Sequence, residues 1–138
     1  MRHLIKEAGL TAQIAVASAG TGDWHLGEPR DKRSQAIGRA RGIPLSGVAQ
    51  QFTAADFARY DHVIAMDAAN RKALLAMAPD ADARAKVTLL RAHDPAVTGD
   101  ADVPDPYYGG PKGFDDVFDI CLGACAGLLG RLRAEHGL

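Results

Sequence analysis

Apolar residues recur at helical spacing near the end of the chain. Phe114, Val117, Phe118, Cys121, Cys125, Leu128, Leu129 and Leu132 share one stripe, with Asp115, Asp116, Asp119 and Arg133 largely off it. A stripe of that period predicts an amphipathic helix buried along one side. Three shorter apolar runs read as strands: Ile14 to Ala17, His62 to Met66 and Val87 to Leu90. Further helices are predicted from Arg2 to Ala8, ended by Gly9, and from Lys32 to Arg41, with Gly42 just beyond. Thr53-Ala54-Ala55-Asp56 resembles a capping box opening a short helix to about Arg59, with Asp in place of Glu or Gln. Another helix runs from Ala68 to Ala78, where Pro79 stops it.

Alternating strands and helices predict an α/β layer fold with a mostly parallel sheet. Such sheets carry ligand loops at the carboxyl ends of their strands. Three segments qualify here: Ser18–Gly27, Asp67–Asn70 and the long stretch from Ala92 to Gly113, rich in Pro, Gly and Asp. The 138 residues suit a single domain, 1–138, with no repeat or linker. The formal net charge of −1 supplies no global basic field for nucleic acid or an anionic membrane, so an anionic substrate needs local groups. No apolar run is long enough to span a bilayer, and Met1 to Ala8 lacks the apolar core of a signal peptide; a cytoplasmic protein is expected.

Asp102-Val103-Pro104-Asp105-Pro106-Tyr107-Tyr108-Gly109-Gly110 is the most specific segment. Prolines on both sides of Asp105 restrict its backbone, and two aromatics follow. An acid so placed could protonate a leaving group in an aromatic-walled cleft. The same residues also make an ordinary surface turn. The only Trp, Trp24, lies in the Gly-rich loop after the first predicted strand, as the wall of a site for a flat substrate or as a cap on the core edge. His3, His25, His62, His93 and His136 are scattered and show no zinc-site spacing, so no metal or other cofactor is expected. Cys121 and Cys125, four apart on the apolar stripe, suit buried structural thiols.

The ordered set of motifs resembles the low-molecular-weight protein tyrosine phosphatases over essentially the whole chain. The resemblance is carried by Ser18-Ala19-Gly20-Thr21, Trp24, Gly27, Pro29, Gly42 to Ser46, Thr53 to Phe57, Met66-Asp67, Asn70, Asp105-Pro106-Tyr107-Tyr108-Gly109 and the final helix. It implies a three-layer fold and hydrolysis of a phosphotyrosine protein or a small aryl phosphate through a cysteinyl-phosphate, without a metal. It makes Asp105 the general acid, which protonates the departing oxygen and later activates water. It places Trp24, Tyr107 and Tyr108 on the cleft walls and Ser18 in support of the phosphate-binding loop. Asp67 and Asn70 close a strand-to-helix turn.

The resemblance also implies parts not found in these residues. The family begins with a strand running into Cys, five residues, Arg, then Ser or Thr; that Cys is the nucleophile. No such segment precedes the first helix, so the sheet is expected to lack the family's first, interior strand. The chain by itself is expected to be inactive unless extended upstream. The unpaired strand edges left behind could promote self-association. Cys125 and Arg131 do have five residues between them, but inside a helix they stand about 240° apart and no strand precedes them. Gly47 and Gln50 occupy positions where the family often has His and Arg. Two alternatives stay open: a non-catalytic interaction protein on the same scaffold, and a related arsenate reductase using cysteine redox chemistry.

Overall fold

The computed structural model describes residues 1–22, 27–29, 31–97, 102–104 and 110–138, the side chains of 110–112 excepted. Among the described residues the order is three helices, a strand, two helices, a strand, a 3-10 turn and a last helix. Helix α1 spans Arg2–Glu7, α2 Lys32–Ala40 and α3 Asp56–Arg59. Strand β1, Val63–Ala65, leads into α4, Ala68–Met77, and α5, Ala81–Ala85. Strand β2, Val87–Leu89, runs into a 3-10 turn, Leu90–His93, and the chain ends in α6, Gly110–His136.

β1 and β2 pair in parallel, with Val63 opposite Val87, Ile64 opposite Thr88 and Ala65 opposite Leu89. Successive side chains of a strand point to opposite faces, and the burial follows. Val63, Ala65 and Leu89 join Phe57, Leu74 and Ala83 in one buried cluster. Ile64, on the other face, packs against Leu90, Val103, Ala124, Leu128 and Leu132. Helices α4 and α5 therefore cover one side of the pair and α6 the other, an α/β arrangement in layers. A third cluster, Ile5, Leu10 and Leu129, docks α1 on α6.

Local chemistry fixes the helix ends. Asp31, Asp67 and Asp80 each accept a hydrogen bond from a backbone N–H in the first turn of α2, α4 and α5. The Thr53–Asp56 box is half formed. The Asp56 carboxylate accepts from the Thr53 N–H at 2.9 Å, while the Thr53 hydroxyl also turns to it at 3.2 Å. Helix α5, capped by Asp80, was not expected from the apolar pattern because five residues give too little periodicity. Leu90, expected in the third strand, starts the 3-10 turn, and α6 reaches back to Gly110 inside the expected long loop.

The clearest correction concerns Ile14 to Ala17, expected as a strand. Residues 14–19 form no strand. A strand exists through its ladder, and among the described residues no neighbouring strand pairs with them. Ile14 still packs beside the α6 cluster that also holds Ile64. The Val16 carbonyl accepts from the Arg2 guanidinium at 2.9 Å, and the Ser18 carbonyl from Gln50 Nε2 at 2.7 Å. The segment is thus held by side chains where a ladder was expected. One parallel bridge joins Gly20 to Gln51.

Helix α6 approaches the 3-10 turn so closely that Gly127 is obligatory. A Cβ there would collide with the His93 carbonyl oxygen and stand 2.9 Å from its carbon. Gly127→Ala should therefore destabilise the fold by about 1–3 kcal/mol, the usual cost of overpacking, despite the better helix propensity of Ala. A urea midpoint equal to or above that of the parent would contradict this packing.

His93 makes a second prediction. Its Nε2 lies 2.9 Å from Thr88 Oγ1. Burial, followed by the Arg131 cation and His62, holds its pKa below the ordinary histidine value. A depressed folded pKa means that the unfolded chain takes up the proton first, so stability falls as pH drops below about 6.5 toward the folded value. His93→Gln should flatten that part of the curve, read as urea midpoints at several pH values. An unchanged slope would rule out His93 as its source.

Candidate active site

The sequence reading named Asp105, Trp24, Tyr107, Tyr108 and Ser18. The first four lie outside the described residues. What is described is Asp102-Val103-Pro104, the root of the loop expected to carry the acid, and the segment carrying Ser18.

The root is fastened at the carboxyl end of β1. The Val103 N–H donates to the Met66 carbonyl at 2.8 Å, so the loop is bonded to the residue just past the strand. The Val103 side chain is buried in the α6 cluster. Asp102 Oδ1 accepts from the Ala68 N–H at 2.9 Å, at the first residue of α4. Its carbonyl accepts from Arg91 Nη1 at 3.1 Å. Asp67 Oδ1 meanwhile accepts from the Asn70 N–H at 2.7 Å, the strand-to-helix turn expected for this pair. Two carboxylates thus satisfy N–H groups in the first turn of α4, where the helix dipole also favours negative charge.

Ser18 follows the stretch expected, but not found, as a strand. Gln50 Nε2 donates to its carbonyl, and the Gly20 N–H to the Gln50 carbonyl at 2.8 Å. The Phe52 N–H returns to the Gly20 carbonyl at 2.8 Å, and the Phe52 ring meets Phe57 edge-on at 5.1 Å between centroids. The segment is stitched to 50–52 and through Phe57 to the core. Gln50, noted in the sequence only as a departure from the family, is therefore a tie for the Ser18 segment. Gly47, the other departure, has φ of 98°, a backbone state that side chains rarely adopt.

Asp102, Arg91 and Gln50 were missed as site residues. Asp102 is the one the sequence could have offered, as a carboxylate within reach of a helix start. The contacts of Arg91 and Gln50 depend on the tertiary arrangement.

The Cys125–Arg131 pair lies within α6, as expected. Cys121 and Cys125 are half-buried free thiols against the core. Burial, reinforced by the neighbouring Cys125, pushes the Cys121 thiol up from its ordinary pKa, so it stays protonated at neutral pH. Arg131 turns the other way, to Glu135 at 2.9 Å. Neither thiol meets the requirements of a nucleophile at a strand end.

The histidines are less scattered than the spacing implied. His62 and His136, distant in sequence, come together with ring centroids 5.9 Å apart, and Glu135 joins them. These exposed groups are the metal-capable set among the described residues. They stand at the amino end of β1, away from the acid-loop root. No helix among the described residues is long and apolar enough to cross a membrane.

Known proteins align with this architecture from end to end. The family model described as low molecular weight phosphotyrosine protein phosphatase matches residues 1–137. A low molecular weight protein-tyrosine-phosphatase of Streptomyces coelicolor is 44% identical over 135 residues, 97% of this chain and 82% of that protein. The crystal structure of a protein tyrosine phosphatase from Entamoeba histolytica, with Hepes in its active site, superposes with a TM-score of 0.89 at 32% identity, covering 99% of this chain and 85% of that one. YfkJ from Bacillus subtilis gives a TM-score of 0.89 at 35% identity, over 98% and 83%. The chain belongs to the low-molecular-weight phosphotyrosine protein phosphatase family.

Proposed function

We propose that this chain supplies the general-acid side of phosphotyrosine monoester hydrolysis, acting on a phosphotyrosine protein or a small aryl phosphate. The observation that carries the reading is the fastening of Asp102-Val103-Pro104 to β1 and α4, immediately before Asp105. A proton donor must be held within hydrogen-bond reach of the departing oxygen. One peptide unit separates Pro104 from Asp105, so fixing the root limits where the acid can go.

In the reaction, a cysteine thiolate attacks phosphorus in line with the aryl oxygen. Asp105 gives its proton to that oxygen as the bond breaks. The resulting carboxylate then takes a proton from water as water attacks the cysteinyl-phosphate, releasing phosphate and the free thiolate. Trp24, Tyr107 and Tyr108 form the aromatic walls, and Ser18 supports the phosphate-binding loop. The described thiols do not meet the nucleophile's needs, and the half-buried, protonated Cys121 also disfavours the reductase alternative. Residues 1–138 act as a single domain in a soluble, cytoplasmic setting.

Hydrolysis of p-nitrophenyl phosphate tests the reading. The 138-residue chain should be inactive, and a form extended upstream through a Cys, five residues, Arg loop should be active. Asp105→Asn in that form should lower kcat by about 100-fold or more, the ordinary scale for loss of a general acid. Inactivity of both forms would favour the non-catalytic scaffold. Turnover by the short chain, lost in Cys125→Ser, would overturn the assignment of the nucleophile.

Asp102 is assigned as a positioning residue. Asp102→Ala should cost about 1 kcal/mol of stability, as loss of a helix N-terminal cap does. It should also lower kcat by about tenfold, the effect of about 1.4 kcal/mol on the barrier. The rate loss should vanish in an Asp105→Asn background, because there is then no acid to position. A full, additive loss in that background would show a structural role alone.

A further inference from the structure

We propose that His62, Glu135 and His136 form a binding site for a divalent transition-metal cation, with Zn²⁺ as the test ion, joining the start of β1 to the last turn of α6. One ring nitrogen of each histidine and one carboxylate oxygen of Glu135 lie within 4.8 Å of one another. Ligand atoms around a tetrahedral ion with bonds of about 2.0–2.1 Å stand about 3.4 Å apart. The closure required is within the reach of exposed side chains. Two imidazoles and one carboxylate, with water completing the set, suit zinc and its borderline neighbours better than Mg²⁺ or Ca²⁺, which prefer all-oxygen shells.

The backbones that carry these groups are fixed independently of any ion. Next to His62, the Val63 N–H donates to the Lys86 carbonyl at 3.0 Å as β1 begins. On the other side, α6 closes with Gly137 at φ of 65° and the Leu138 N–H on the Arg133 carbonyl at 3.0 Å. This is the paired glycine and backward bond of a Schellman end. Buried Leu128 and Leu132 hold the same stretch of α6 on the core. The ion would therefore bridge two elements already in place, and little ordering of the chain opposes its binding.

The electrostatics are mixed and still permit a cation. Arg131 Nε donates to Glu135 Oε1 at 2.9 Å. A partner behind a ligand orients it, as commonly happens around metals. The carbonyl end of α6 favours positive charge. Beside the trio, a cavity of about 200 Å³ is lined by residues including Asp61, Thr88, His93 and Arg131. His62 and Glu135 also line it. The site is unrelated to the acid loop, so it stands or falls apart from the proposed activity.

Calorimetric titration of zinc chloride into the metal-free 138-residue protein tests the proposal. One ion per chain is expected. His62→Ala and His136→Ala should each weaken binding at least tenfold, the low end of the loss seen when even an outer partner of a metal ligand is removed. All three side chains are exposed, so these substitutions leave the core intact. The double variant Cys121→Ser, Cys125→Ser should bind as the parent does, and proton NMR should show the His62 and His136 rings shifting while His3 stays in place. Absence of saturable binding, unchanged affinity in His62→Ala, or binding abolished in the double cysteine variant would overturn it.

Discussion

Strand β1 contributes three residues, and both of its faces are committed. Val63 and Ala65 enter the cluster under α4 and α5, while Ile64 enters the cluster under α6. A slip of one residue would exchange these faces and drive every side chain into the wrong layer. The parallel pairing with β2 therefore has one workable register, and helices stack on each side of it. The Met66 carbonyl, one residue past the strand, then receives the Val103 N–H. The segment leading to Asp105 is thus rooted beside a strand of constrained register.

That constraint explains the division between the two ends of the strand. At the carboxyl end, carboxylates of Asp67 and Asp102 occupy the N–H groups that open α4, and the backbone leading into Asp105 is tied down. At the amino end, the last turn of α6 comes beside His62. Gly127 lets the α6 backbone meet the turn at His93. A long helix with a core-facing stripe thus fixes the sheet from behind.

Much of this was legible in the residues themselves. The stripe from Phe114 to Leu132 has enough turns for its period to be unmistakable, and Pro79 and Gly42 mark helix ends by local backbone chemistry. The Asp105-Pro106-Tyr107-Tyr108 motif led to the family. The segment from Ile14 to Ala17 misled because strand propensity describes a fit to neighbours, and no described strand pairs with it. Helix α5 is too short to show a period. The latch at Asp102, the tie at Gln50 and the meeting of His62 with His136 join residues 32 or more positions apart. Such contacts are products of the packing and leave no spacing to read.

The central claim is that the root of the acid loop is part of the folded framework. Native-state amide exchange measured by NMR at Val103 tests it most directly. The account predicts that this amide is protected to nearly the same degree as Val63 and Ala65, which donate across to β2, and that it opens with them as denaturant is added. Exchange of Val103 at the rate of an unstructured peptide, with β1 still protected, would contradict the account.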